Sequence, residues 1–186
     1  MIQLEDRTKV DELFSILKNN SRNYRYIKSY TNSLVKENVD LSIQDENGNT
    51  LLHQAIKLKD IKLLKLFIDA GINVNLANEM RMAPIHCAIS IARLDMVKLL
   101  ADSGADLEST MELEQTPLHQ AVSLENLEIV KYLVSKGVNI NMVDENNVSV
   151  LDYAIDEKNR DIIKYFLNYG VDEEHKIQMK KIIGEN

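Results

Sequence analysis

The amino-acid sequence predicts an all-α fold, a solenoid of helix-turn-helix units joined by short β-hairpin or turn fingers. The first observation is a repeat of 33 residues without insertion or deletion, which places glycines at Gly71, Gly104, Gly137 and Gly170. The second is the apolar pattern inside each unit, where hydrophobic residues recur every three or four positions and so share one helix face. A unit of this length cannot bury that face alone, so neighbouring units must stack.

The first helix of each unit begins in an aligned segment at 50–55, 83–88, 116–121 or 149–154, of which the last is the most degraded. The second helix carries apolar residues such as Ile61, Leu64 and Phe67. It ends at the glycine, which can take the left-handed conformation that terminates a helix. Asn38 lies 33 residues before Gly71, so the same frame extends into the N-terminal segment.

A polar connection precedes each first helix, and it begins with a turn signal at Asn47-Gly48. Later copies hold Arg81, Glu114 and Asn147 in place of this glycine. We expect the hairpin to persist there, because the flanking units hold it.

These residues resemble the ankyrin repeat. The likeness is carried by Thr-Pro-Leu-His-x-Ala at 116–121, by Leu-x-Ile-Val-Lys-x-Leu at 127–133 and by the Gly-Val-Asn that follows at 137–139. It covers residues 45 to about 174 and implies one ankyrin-repeat domain over 1–186. The expected repeats are 45–77, 78–110, 111–143 and 144–174, after a divergent capping repeat at 1–44. A cap helix is expected within 173–186, with Ile177, Ile182 and Ile183 facing inward, since terminal repeats are atypical.

One departure from the family concerns the bend between the two helices of a unit. The family commonly has glycine there, whereas this chain has Lys59, Ala92, Glu125 and Lys158. We therefore expect the first helix to run longer than usual.

The resemblance implies that partners contact the finger tips and the first helices. The corresponding tip residues are Glu46, Asn47, Asn49, Glu79, Met80, Met82, Glu112, Leu113, Gln115, Glu145, Asn146 and Val148, and the first-helix residues are Leu58, Ile91 and Leu124. The four glutamates recur every 33 residues and either steer a basic partner segment or are simply solvated. The leucine and isoleucine positions either form an exposed apolar patch or pack between neighbouring first helices.

Two basic patterns lie elsewhere. Lys65, Lys98, Lys131 and Lys164 recur on the second helices and are interpreted as a solubilising surface. Near the N-terminus, Tyr24, Tyr26 and Tyr30 alternate with Arg22, Arg25 and Lys28. This cluster could bind an anion, but a capping helix with packed tyrosines is favoured.

No pattern predicts catalysis, a cofactor or a metal. His53, His86 and His119 recur in register, but stacked helices lie roughly 8–10 Å apart whereas zinc needs nitrogens at about 2.1 Å. The resemblance instead implies that each imidazole bridges backbone groups of neighbouring units. Cys87 is interpreted as a buried, inert thiol, and no phosphate loop or nucleophile elbow is present. We therefore expect a protein that is not an enzyme.

Composition narrows the partners. The 186 residues carry a net charge of −7, which disfavours nucleic acid, and no apolar run is long enough to span a membrane. The single cysteine and a charged N-terminal segment without a secretory pattern predict a cytoplasmic protein, or one acting in a host cell's cytoplasm if it is an effector. We expect a monomer that binds a protein partner and acts as an adaptor, inhibitor or effector. The alternative is a scaffold segment or a regulatory subunit of a larger assembly.

Overall fold

The computed structural model describes residues 4–19 and 23–184. The predicted caps at 1–44 and 173–186 and the predicted Arg22 contact therefore fall partly outside the described residues. The described chain is all-helical, as predicted, and its fingers are turns with a single isolated antiparallel bridge between Val143 and Ser149. The α-helices are α1 Leu4–Lys18, α2 Tyr24–Lys36, α3 Leu51–Lys57, α4 Ile61–Asp69, α5 Pro84–Ser90, α6 Leu94–Asp102, α7 Pro117–Ser123, α8 Leu127–Ser135, α9 Val150–Glu157, α10 Arg160–Tyr169 and α11 Glu173–Ile183.

The chain folds as two compact units, Met1–Cys87 with Lys98–Ala105, and Ala88–Val97 with Asp106–Asn186. In the first unit α3 packs on α4 and on α1, and α2 packs on α4. The side chains of Leu13, Ile27 and Phe67 are fully buried in this core.

In the second unit α7 packs on α8 and α9, while α11 packs on α9 and α10. Aliphatic side chains fill the core, among them Val130, Leu133 and Ile163, together with Phe166. Of the apolar positions that the repeat frame assigned to the second helices, Leu64, Phe67, Val130 and Leu133 are buried, whereas Ile61 is half-buried.

The prediction of a longer first helix is wrong. The four residues in the family's glycine slot all adopt the left-handed conformation, with φ near +55°, and they end the first helices at the usual point. Asp60 shows the reason, because its side chain caps α4 while its backbone N–H bonds the Ala55 carbonyl at 3.0 Å. A single residue must reverse the chain between these two anchors, whatever its side chain is. The positions are Lys59, Ala92, Glu125 and Lys158.

The frame does extend towards the N-terminus, because Asn38 ends α2 with a φ of +56°. At the other end, the inward orientation predicted for Ile177 is wrong, since its side chain is 67% exposed. Met179 and Ile183 are buried and lie one helical turn apart on the inner face of α11. Ile177 precedes Met179 by two residues and so points about 200° away around the helix.

Candidate interaction surface

Three of the fingers are closed by the same device, an aspartate or asparagine at the first position of the turn. The Asp45 carboxylate accepts hydrogen bonds from the backbone N–H groups of Asn47 and Asn49, at 3.0 and 2.9 Å. Asn78 and Asp144 do the same in their fingers. An acceptor at this position satisfies backbone groups that a tight turn leaves unpaired, so the tip residues are presented in a fixed shape.

The third finger differs because Met111 occupies the acceptor position, and its thioether sulfur is only a weak hydrogen-bond acceptor. The finger closes as a short 3-10 turn over Glu112–Glu114, with consecutive left-handed residues at Leu113 (φ +58°) and Glu114 (φ +55°). The finger expected there persists, because the Met111 N–H donates to the Gln115 carbonyl at 3.0 Å just as the Asp45 N–H donates to the Asn49 carbonyl at 2.8 Å, but the turn at its tip is different. Its tip exposes Leu113 between two glutamates.

Within each compact unit, a backbone hydrogen bond joins the two fingers. In the first unit the Glu79 N–H donates to the Asn47 carbonyl at 3.1 Å, and in the second unit the Glu145 N–H donates to the Leu113 carbonyl at 3.0 Å. Gly48 permits the first contact, because a Cβ there would lie only 2.7 Å from the Glu79 nitrogen. The two tips of each unit are therefore connected to each other rather than being independent loops.

The predicted acidic residues are all exposed, but they are not equivalent. The Lys18 ammonium of α1 lies 3.3 Å from the Glu46 carboxylate. The carboxylates of Glu79, Glu112 and Glu145 make no ion pair in the described part of the chain, so their charges are uncompensated there. The acidic set available to a partner thus begins at the second finger.

The apolar candidates also differ from one another, in this case in the exposure of their side chains. The exposed fraction is 58% for Met80, 48% for Leu113, 50% for Leu124 and 38% for Leu58. Ile91 and Met82 are half-buried. The structure therefore favours exposure over inter-helix packing for Leu58 and Leu124, which are the C-cap residues of α3 and α7.

The remaining candidates show mixed exposure. Asn47 and Asn146 are exposed, while Val148 is half-buried. Asn49 accepts a hydrogen bond from the Asn78 amide at 3.1 Å, and the Gln115 amide donates to the Tyr153 hydroxyl at 2.6 Å. Asn49 thus joins the first finger to the second, and Gln115 joins the third finger to α9.

The histidine prediction is confirmed for His53. Its Nδ1 accepts from the Thr50 N–H at 3.0 Å, and its Nε2–H donates to the Met82 carbonyl at 3.0 Å. His119 likewise caps α7 through Thr116, but its Nε2 has no hydrogen-bond partner in the described part of the second unit. Burial lowers the pKa of both imidazoles, so the fold favours their neutral form.

A second set of contacts was not predicted from the sequence. Asp152 occupies the slot that histidine holds in the earlier units, and its carboxylate accepts from the Ser149 hydroxyl at 2.6 Å. Its other oxygen lies 3.4 Å from Nε2 of His175 in α11, whose Nδ1 contacts Asp172 at 2.5 Å. The sequence signal that could have predicted this contact is the aspartate at a position where the earlier units have histidine. A carboxylate there can pair with the imidazole of His175.

The described residues give no sign of a reactive centre. Cys87 is half-buried, and burial raises the pKa of its thiol to about 11, which disfavours the thiolate. Over 4–19 and 23–184, no three histidine, cysteine or acidic side chains converge as metal ligands. Within the same ranges, no helix combines the length and apolarity needed to cross a membrane.

Comparison with known proteins agrees with this geometry. The family described as Ankyrin repeats (3 copies) matches residues 22–111 and 104–177, which is most of the chain. The chain belongs to the ankyrin-repeat family. Ankyrin repeats are generally protein–protein interaction modules. A search of curated proteins found no match to this ankyrin-repeat chain.

Proposed function

We propose that this ankyrin-repeat protein binds another protein through its finger tips and first helices, and that it acts by occupying that partner. The observation that carries the proposal is the pairing, at successive fingers, of an uncompensated carboxylate with an exposed apolar side chain. The pairs are Glu79 with Met80, and Glu112 with Leu113. Neither apolar residue serves the core.

The chemistry of these tips indicates what they bind. Burying an exposed methionine or leucine side chain contributes roughly 1.5–3 kcal/mol. Carboxylates without an internal partner attract a basic segment and orient its approach. The partner surface is therefore apolar with basic residues around it. Lys18 gives an internal example, because a helix lysine already engages the fingertip carboxylate of Glu46. We place this activity in the cytoplasm, as an adaptor, inhibitor or effector.

Charge reversal tests the proposal. Proteins captured from a lysate by the wild-type chain would be identified by mass spectrometry and compared with those captured by the variant Glu79→Lys/Glu112→Lys. The control is Glu128→Lys/Asp161→Lys, which alters the net charge equally but lies on α8 and α10, away from the fingers. Specific partners should be lost with the fingertip variant and kept with the control. Equal capture by the fingertip variant and wild type would refute a fingertip site.

A further inference from the structure

A second surface in the first unit has chemistry complementary to the fingers. A cavity of about 470 Å³ opens where α2 and α4 meet, with Leu99 of α6 at its edge. Tyr24, Ile61 and Leu66 supply most of its apolar wall. Its volume falls within the range of protein sites that accept a small ligand or a side chain. None of its lining residues belongs to a finger.

The charged part of the cavity lining is mainly basic. Lys28, Lys62 and Lys65 line it together with one acidic residue, Asp69. Lys65 forms an ion pair with Asp69 at 3.1 Å. The ammonium groups of Lys28 and Lys62 make no ion pair in the described part of the chain, so two positive charges flank an apolar depression.

The second finger carries a charge opposite to that of the cavity and an exposed apolar side chain. Met80 is the most exposed apolar side chain of the finger tips, and the uncompensated Glu79 carboxylate precedes it directly. Methionine is unbranched and adapts to irregular cavities. The Lys18–Glu46 pair shows that a helix lysine can engage the fingertip glutamate of this same frame.

We propose that the Glu79–Met80 tip of one copy docks into the cavity of a second copy, with Met80 in the apolar depression and Glu79 beside Lys28 and Lys62. The two surfaces are different patches of the same chain, so the contact is heterologous and leaves each copy with a free tip or a free cavity. Association of this kind either closes into a ring or extends as an open chain, and in both cases the mean mass rises with concentration. The proposal differs in this respect from the monomer expected from the sequence.

Complementary variants test this association without any foreign partner. The tip variant is Glu79→Lys/Met80→Ser, and the cavity variant is Lys28→Glu/Lys62→Glu. Sedimentation velocity should show the wild type increasing in mass with concentration and each variant alone remaining monomeric. An equimolar mixture should form a 1:1 dimer and nothing larger, because the intact tip of one variant meets the intact cavity of the other.

A matched control excludes a general effect of charge. Lys131→Glu/Lys164→Glu makes the same charge change on α8 and α10, and it should associate as the wild type does. A wild type that stays monomeric up to about 1 mM, a mixture without dimer, or a control that abolishes association would each overturn the proposal. The cavity variant leaves every finger residue intact, so loss of self-association with retained partner capture separates this inference from the proposed function.

Discussion

The residues that reverse the chain between paired helices store strain, because they take a conformation that glycine adopts readily and other residues do not. Lys59, Ala92, Glu125 and Lys158 all have φ near +55°. The left-handed region costs a non-glycine residue roughly 1–2 kcal/mol. The hydrogen bonds and caps on either side impose this geometry, and the family's common glycine avoids the cost.

Ala92→Gly should therefore stabilise the protein by up to about 1 kcal/mol, since relief of strain exceeds the entropy that glycine adds to the unfolded chain. Urea unfolding would measure the change. Ala101→Gly is the control, because Ala101 lies within α6 and the same substitution should destabilise there by about 0.5–1 kcal/mol. Equal destabilisation by both substitutions would contradict the argument.

Gly48 shows the opposite case, a glycine that two constraints require. Its φ is +73°, and a Cβ would meet the backbone of the next finger at 2.7 Å. Gly48→Ala should cost about 2–3 kcal/mol, because the strain and the displaced Glu79 contact combine. Gly71 has a φ of +86°, but a Cβ there would meet no other atom within 4 Å. Gly71→Ala should therefore cost only the backbone strain of about 1 kcal/mol. Thermal unfolding of the two variants would compare these costs, and an equal loss would show that the close approach is unimportant.

At the scale of the element, three of the four fingers are each closed by one acceptor side chain. The third finger has Met111 at that position and lacks such an acceptor. Met111→Asp would supply an oxygen for the backbone N–H groups of Leu113 and Gln115, as Asp45 does in the first finger. Unfolding free energy should rise by about 0.5–1.5 kcal/mol. Amide exchange at these two residues should also slow. Met111→Leu provides no acceptor and should change neither quantity. A Met111→Asp variant with unaltered exchange would show that the turn is set by other contacts.

The elements also show where sequence reasoning succeeds. Second helices and their ends were predicted because apolar spacing and a terminal glycine are local signals, and Asn38 followed from the same frame. The length of the first helix was mispredicted because the lack of glycine at Ala92 and its equivalents was taken to exclude a tight reversal, which the surrounding caps and hydrogen bonds nevertheless impose. Exposure of Leu124 could not be derived, since helical spacing does not reveal how closely neighbouring first helices pack. The Lys18–Glu46 ion pair could not be predicted from the sequence, because α1 falls outside the 33-residue frame.

At the scale of the whole molecule, the repeat frame places a neutral histidine inside the fold in both compact units. Burial lowers the pKa of His53 and His119 below the ordinary value of about 6.5. A group with a lowered pKa binds its proton more tightly in the unfolded chain, so acid favours unfolding. For histidine this loss begins as the pH falls below about 6.5 and continues down to the folded pKa.

The urea concentration at the unfolding midpoint should consequently decrease as the pH is lowered from 7.5 to 5. The carboxylates of Asp144 and Asp152 do not explain such a decrease. Burial opposes their ionisation, but hydrogen bonds outweigh it and hold the pKa of each below its usual value. Their contribution to the free energy of unfolding is therefore lost only in stronger acid. The double variant His53→Gln/His119→Gln should start from a lower midpoint and change less over the same range. A wild-type midpoint that is constant or rises from pH 7.5 to pH 5 would contradict the neutral, buried state of these histidines. The repeat would then hold them by contacts that tolerate the charged form.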